Sequence, residues 1–221
     1  MKARKAIRSY AFLTDCLVKT TWEFATNIQF PAYNPTNAEK LSVISVGGYG
    51  RREMAPYSDV DLLFLTPYKI TPWAETVIET VLYLLWDLKL KVGHSSRTIR
   101  DCLRMGNEDY TIRTAMLEHR FVCGDIGLAS ELNEKLWKNL FDGTAKEFIS
   151  AKLKERENRH KKHGQRYMVE PNIKEGKGGL RDLQSLYWIA KYVYQTQNIS
   201  DLIELNVFRS DEHEQFDTAE E

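Results

Sequence analysis

The segment Gly47–Leu65, which reads GGYGRREMAPYSDVDLLFL, constrains the fold of this 221-residue chain more than any other part. Two aspartates, Asp59 and Asp61, stand one residue apart within a hydrophobic run. Because residues i and i+2 of a strand point to the same side, we expect both carboxylates on one face, with Val60 and Leu62 buried on the other. Two adjacent carboxylates repel each other unless a cation lies between them, so the pattern indicates a Mg²⁺ site.

The simpler alternative is an Asp-rich turn followed by an ordinary half-exposed strand. The glycine pair Gly47–Gly48, which ends an earlier hydrophobic run, favours the functional interpretation. Glycine is needed where the backbone approaches a ligand closely or adopts positive φ, and successive N–H groups in such a turn bind anions. Arg51 follows at once and has a forked donor group suited to phosphate. A phosphate-binding turn beside paired acids is typical of nucleotidyl transfer.

This order of strand, glycine pair, turn and D-x-D resembles the nucleotidyltransferase fold of the DNA polymerase β superfamily. The longer string resembles the N-terminal catalytic domain of bacterial PII-protein uridylyltransferases, and so do two later stretches, Val92–Asp125 and Glu170–Ala190. The similarity covers almost the whole chain and is weakest before Leu41. It implies an α+β fold, in which a small mixed sheet with flanking helices is preceded by an N-terminal helix and followed by a helical domain.

The hydrophobic pattern divides the chain into three parts: an N-terminal helix and linker at 1–40, a nucleotidyltransferase domain at 41–125 and a helical domain at 126–221. Strands are predicted at 41–46, 59–65 and 87–92. Helices are predicted at 3–28, 71–86, 98–105, 108–122, 127–140, 144–163 and 179–196.

The third predicted strand alternates strictly and carries Asp87 on its charged face. The superfamily typically places a third carboxylate on the following strand, so the resemblance makes Asp87 a candidate metal ligand; the alternative is an exposed charged face. The resemblance places the next turn, Gly93–Arg97, near the active site, which makes Ser96 and Arg97 candidates for nucleotide contacts. A helix cap by Ser95 or Ser96 is the simpler interpretation of the serines.

A glycine-rich loop, Glu170–Asp182, leads into the last long helix. It lacks the G-x-x-x-x-G-K-[ST] pattern, but Lys174, Lys177 and Arg181 near a helix N-terminus favour an anion site that binds the nucleotide. The alternative is a structural turn in which Gly178 or Gly179 supplies positive φ.

Other polar segments have simpler explanations. Asp109 and Arg113 are spaced for an intrahelical ion pair, although the resemblance keeps them as outside candidates for nucleotide contacts. The charge-dense run 152–162 predicts a solvated helix face with a Glu155–Arg159 pair. His160 and His163 are predicted to be surface residues, without a third ligand at metal spacing.

The bulk composition excludes several classes of protein. Lys and Arg together number 31, as do Asp and Glu, so no basic field favours long nucleic acid as a partner. Three cysteines without C-x-x-C spacing argue against a disulfide framework or zinc site and fit a reducing cytoplasm. No apolar run is long enough to span a membrane or form a signal peptide, and we expect a soluble, cytoplasmic location.

The resemblance implies a specific reaction. UTP would bind with its triphosphate over Gly47, Gly48 and Arg51, with Ser58 nearby. Asp59, Asp61 and Asp87 would hold Mg²⁺, and the acceptor would be a tyrosine hydroxyl of a PII signal-transduction protein. The alternatives are a different nucleotide or acceptor, or a catalytically silent nucleotide-binding module.

The family continues into an HD-type hydrolase and two sensor domains. We expect this chain to be a fragment, because it stops soon after a predicted helix start at 210–214. The resemblance assigns reversal of the modification to the hydrolase domain, so we expect that this chain cannot reverse it.

Overall fold

The computed structural model describes residues 3–163 and 172–196. The helix start predicted at 210–214 lies outside these residues. The chain divides into two compact units, Met1–Leu140 and Phe141–Glu221, and the boundary expected at 125/126 falls inside the first. No helix of the described residues is both long and apolar enough to cross a membrane.

The first unit is built on a four-stranded mixed sheet with the order β3-β2-β1-β4. The strands are β1 (Ser42–Ser45), β2 (Val60–Thr66), β3 (Val92–Thr98) and β4 (Arg120–Gly124). Strand β1 pairs antiparallel with β2 and β4, whereas β2 pairs parallel with β3. The predicted α+β fold with a small mixed sheet is confirmed.

Helices cover both faces of this sheet. The first unit contains α1 (Ala3–Glu23, continued by a π-helical segment Phe24–Gln29), the short α2 (Gly47–Gly50), α3 (Pro72–Asp87), α4 (Ile99–Glu108), α5 (Tyr110–Leu117) and α6 (Ile126–Leu136). A second π-helical segment, Trp137–Phe141, follows α6 and crosses the unit boundary. The helices predicted at 3–28 and 71–86 are confirmed, and Thr71 caps α3 by accepting a hydrogen bond from the Ala74 N–H at 3.2 Å.

The main core lies between the sheet, α1 and α3. Val60, Leu62 and Phe64 of β2 are almost fully buried on this side. They pack in one cluster with the apolar stripe of α3, with Ala11 and Val18 of α1, and with Ala25 of the π-helical segment that continues α1. Helix α6 contacts β1, β2 and β4.

The sequence interpretation was wrong about the third strand. Residues 87–91 form the end of α3 and the loop after it, and β3 begins only at Val92. Helix α3 continues to Asp87, where the Leu88 N–H still donates to the Leu84 carbonyl. Strand β4 was hidden inside a predicted helix, 108–122, because it is only five residues long.

In the second unit, α7 (Ala145–His163) packs against α8 (Leu180–Tyr194). Tyr192 stacks on Phe148 with ring centroids 4.0 Å apart and shares a 2.6 Å hydrogen bond with Thr144. The run 152–162 is only partly solvated as predicted, because Lys152 and Arg159 are buried. Glu155 accepts from Lys152 rather than forming the predicted pair with Arg159.

Candidate functional site

The paired acids lie where β2 begins. Asp59 is exposed and immediately precedes β2. Asp61 is the second residue of β2 and is half-buried. Val60 and Leu62 between and after them are buried in the core, as the alternation predicts. The Asp61 carbonyl accepts from the Val46 N–H at 3.1 Å, which fixes the acids beside the glycine turn.

Two glycines make room for the Asp61 carboxylate. Gly47 has φ of 60°, and a Cβ built on it would lie 3.2 Å from Asp61 Oδ2. Gly93, which pairs with Asp61 in the β2–β3 register, would place a Cβ only 2.7 Å from Asp61 Oδ1. A side chain at either position would press against the carboxylate. The glycine turn and the D-x-D motif are therefore one site, as their spacing predicted.

The electrostatics of the pair fit a cation. Burial raises the pKa of the Asp61 carboxyl, and the negative charge of Asp59 raises it further. Both effects disfavour the ionised form of Asp61, and a cation bound beside the carboxylates would offset them. Carboxylate oxygens are the donors that Mg²⁺ prefers, and it is commonly bound by one or two carboxylates together with substrate phosphates and water. The residues therefore fit such an ion.

A third carboxylate does not join the pair. Within residues 3–163 and 172–196, no group of three or more His, Cys, Asp or Glu side chains is arranged to hold a metal. Asp87 is exposed at the end of α3, not on a strand beside β2, so the reason for choosing it was wrong. Strand β3, VGHSSRT, carries no acid at all.

Arg97 also lies elsewhere than expected. Residues Gly93–Arg97 are part of β3 rather than a turn, and Thr98, not Ser95 or Ser96, caps the next helix. Arg97 pairs with Leu65 and therefore shares the face of Asp61. It stands four residues beyond Gly93, about 13 Å along the strand. The expected contact with a nucleotide at Asp61 gains no support from this placement.

Arg51 is occupied by acids of the protein itself. Its guanidinium donates to Glu53 at 2.7 Å and to Glu118, and its side chain is only 9% exposed. Burial alone lowers the pKa of Arg51, but the charges of Glu118 and Glu53 outweigh it and raise that pKa. These ion pairs explain Arg51 without a phosphate.

A second arginine supports the glycine turn from behind, and sequence analysis missed it. Arg120 of β4 donates to both carboxylate oxygens of Asp15, at 3.0 and 2.9 Å. It also donates to the carbonyls of Tyr49 and Gly50 in the turn, each at 3.2 Å. Helix α1 is thereby connected to the turn through one side chain. No local pattern signals a contact between residues more than 100 positions apart.

The remaining glycine-turn candidates are accessible to different degrees. Gly48 is the second residue of the short helix α2, whose first N–H groups have no intrahelical acceptor. Ser58 is half-buried, and its N–H donates to the Ala55 carbonyl at 3.0 Å.

Two further candidates lie at α5. Asp109 caps this helix, while Arg113 is buried and donates to the Gly106 carbonyl and to Asn107. Both candidates have structural explanations.

The glycine-rich loop of the second unit is organised by its own backbone. The N–H groups of Leu180 and Arg181 donate to the carbonyls of Ile173 and Lys174, at 3.1 and 3.0 Å. Gly178 has φ of 75°, as the structural-turn alternative predicted. Lys174 and Lys177 are exposed; Arg181 is half-buried, bonds Gln184 and lies 3.6 Å from Glu175. The N-terminal N–H groups of α8 are thus already paired, and the two lysines are the groups most accessible to an anion.

Asp182 ties this loop to α7. It accepts from Arg159, from His160 at 2.9 Å and from the Gly178 N–H at 2.8 Å. Burial alone raises the pKa of Asp182, but these hydrogen bonds outweigh it and lower that pKa. His160 is therefore an Asp-paired, largely buried residue, and its prediction as a surface histidine was wrong.

The sequence of this chain is similar to those of known proteins. Residues 147–221 match the model of the GlnD PII-uridylyltransferase family. The bifunctional uridylyltransferase/uridylyl-removing enzyme of Ruegeria pomeroyi is 60% identical over 219 residues. The resemblance to the PII-uridylyltransferase family is confirmed. The corresponding enzyme of Cereibacter sphaeroides is 61% identical over 220 residues.

These alignments cover 99% of this chain but only 24% of each of the two relatives. The chain therefore spans about a quarter of the length of the curated relatives that it matches. The activities for which those enzymes are named belong to much longer proteins.

Proposed function

We propose that this chain is the nucleotidyl-transferring part of a PII uridylyltransferase. It binds UTP, transfers the uridylyl group to a tyrosine hydroxyl of a PII signal-transduction protein and releases pyrophosphate. The observation that carries this proposal is the Asp61 carboxylate, held between Gly47 and Gly93 with Asp59 two residues away. The identity to uridylyltransferases over almost the whole chain supports the choice of nucleotide and acceptor.

In the proposed site, Asp59 and Asp61 would hold Mg²⁺, and the start of the short helix α2 would face the phosphates. The bound ion would neutralise charge that develops on the phosphates during transfer. Gly47 and Gly93 keep side chains away from Asp61, so that substrate oxygens have access to its carboxylate. A tyrosine hydroxyl has an ordinary pKa of ~10 and needs help to lose its proton. The exposed Asp59 is the carboxylate best placed to orient that hydroxyl.

Lys174 and Lys177 stay in the proposal as anion-binding residues of the second unit, because both are exposed on a loop with an internally fixed backbone. Arg181, Arg97 and Ser58 were nominated on the same resemblance. These three residues are less exposed than the two lysines. Lys174 and Lys177 are therefore the first two candidates to test.

The test is transfer of label from α-labelled UTP to purified PII protein with Mg²⁺. Asp59→Asn and Asp61→Asn should each reduce transfer ~10³-fold, about 4 kcal/mol of transition-state stabilisation. Asp142→Asn, an exposed aspartate of the second unit, is the matched control and should retain full activity. Retention of more than a tenth of the activity in both site variants would contradict the metal assignment. Labelled ATP, CTP and GTP test the choice of base.

Asp87→Asn distinguishes a metal site of two carboxylates, Asp59 and Asp61, from one of three that includes Asp87. A two-carboxylate site predicts an unchanged kcat for this variant, since Asp87 lies at the end of α3. A strongly reduced kcat would restore Asp87 as a third ligand.

A further inference from the structure

Tyr57 occupies a backbone conformation that its own side chain disfavours. Four non-glycine residues of the described chain have positive φ: Arg52, Tyr57, Lys89 and Gln195. This left-handed region is sterically costly for any residue with a Cβ, and more so for a bulky one. Each such residue therefore needs a structural explanation.

Three of the four have one, because they follow helix ends. Arg52 comes just after α2, Lys89 follows the last residues of α3, and Gln195 caps α8. A single left-handed residue is the common way to end a helix, since it lets N–H groups reach the last carbonyls. The Lys89 N–H, for example, donates to the Trp86 carbonyl at 2.8 Å.

Tyr57 ends no helix. It stands at the second central position of a turn closed by a 3.0 Å hydrogen bond from the Ser58 N–H to the Ala55 carbonyl, with Pro56 before it and φ of 67°. Proline followed by a residue of positive φ is the pattern of a type II turn, in which glycine or asparagine is the favoured second residue. A tyrosine here is a departure from local turn chemistry.

Packing does not compensate for the strain. The Tyr57 side chain is 87% exposed, and it makes no hydrogen bond, ion pair or ring contact within residues 3–163 and 172–196. Local rules are broken mainly where function requires it, so the ring at this position points to a ligand.

The position of the turn indicates which ligand. Tyr57 is two residues before Asp59, so their Cα atoms are at most ~7 Å apart. The carboxylates and the glycine turn account for the charged part of a nucleoside triphosphate and leave its planar base without a partner. An exposed aromatic ring at the rim is suited to stack on that base.

We propose that Tyr57 is a stacking platform for the base of the nucleotide, held ready by a strained turn. This inference rests on the proposed function, because it presumes that Asp59 and Asp61 bind a nucleoside triphosphate. It predicts an unusual combination: removing the ring weakens binding while the fold becomes no less stable. Tyr57→Gly relieves the strain and deletes the ring together.

The experiment measures equilibrium binding of Mg²⁺·UTP and of inorganic triphosphate, and the thermal midpoint, for the 221-residue chain. Tyr57→Gly should bind UTP about 5- to 150-fold more weakly, with an unchanged or higher midpoint. Its affinity for triphosphate, which has no base, should equal that of the wild type. Tyr57→Phe, which keeps the ring, should bind UTP normally. Gln195→Gly relieves strain at an exposed helix end and should leave UTP binding unchanged.

Undiminished UTP binding by Tyr57→Gly would overturn the platform and leave the proposed function intact. Equal losses for UTP and triphosphate would also overturn it, because the variant would then act through the phosphate site. A lower thermal midpoint in both Tyr57→Gly and Tyr57→Asn would mean that the ring packs within the fold, which again overturns the platform. If the wild type binds no UTP, both the platform and the proposed function fail.

Discussion

At the scale of single residues, Asp182 combines burial with charge in a way that predicts a pH dependence. Its folded-state pKa is lowered by the Gly178 N–H, Arg159 and His160. A carboxyl with a lowered folded pKa stabilises the fold above its unfolded value of ~3.9, and this contribution is lost as pH falls through the folded pKa. Asp182→Asn should cost on the order of 3 kcal/mol at pH 7, because the buried Arg159 loses the nearer of its two charged partners and keeps only Glu175, 3.8 Å away.

The difference in unfolding free energy between wild type and Asp182→Asn should therefore shrink below about pH 4. Urea titrations at pH 7 and pH 3 measure it. Asp142→Asn, an exposed aspartate of the same unit, supplies the control and should differ from wild type by less than about 0.5 kcal/mol at either pH. A difference that grows on acidification would contradict the assignment of the stabilising charge to Asp182.

At the scale of elements, the glycine turn is held by the corner between α5 and β4. Arg51 follows the turn and pairs with Glu118, whose side chain is 2% exposed. Removing one partner of a buried pair leaves an uncompensated charge, so Glu118→Ala should cost about 3 kcal/mol of unfolding free energy. Replacing both partners by apolar residues, as in Arg51→Met with Glu118→Leu, should cost less than the single variant. Thermal or urea unfolding of the three proteins decides this, and a double variant less stable than Glu118→Ala would refute the pairing argument.

The elements that sequence could predict are those whose signal is local. Helix α3 has a Thr-Pro start and an apolar stripe, and β2 is a hydrophobic run that contains the acids, so the sequence predicts both. Strand β3 was misplaced because it lies at one end of the strand order and is largely exposed, with the polar sequence VGHSSRT. The strictly alternating residues before it, 87–91, form the last residue of α3 and the loop that follows.

The candidate site also has a part that the sequence predicts from local signals and a part that it does not predict. The glycine pair and the acids are adjacent in sequence, so their proximity could be predicted. Ion pairs such as Asp15–Arg120 and Arg159–Asp182 join distant segments, and only the folded chain brings them together. For that reason, the charge-dense sequence predicts Arg159 and His160 to be solvated residues.

At the scale of the whole first unit, helix α1 is a structural part of the sheet domain rather than a separate N-terminal extension. Its Val18 is completely buried in the main core, and Asp15 bonds Arg120, which holds the glycine turn. The domain that carries the site should therefore fail to fold without residues 1–40.

Two substitutions in α1 test this dependence without shortening the chain. Val18→Asp places a carboxylate in the core at a cost of several kcal/mol, comparable with the total stability of about 5–15 kcal/mol of a typical domain. Leu13→Asp makes the same chemical change on a side chain that is 54% exposed and should cost less than about 1 kcal/mol. Circular dichroism during thermal unfolding, together with Mg²⁺·UTP binding, should show a folded, binding-competent Leu13→Asp. The same measurements should show a Val18→Asp that has lost both properties, because the core behind β2 can no longer support the acids at its start. A Val18→Asp protein that unfolds and binds like wild type would mean that α1 is dispensable to the site.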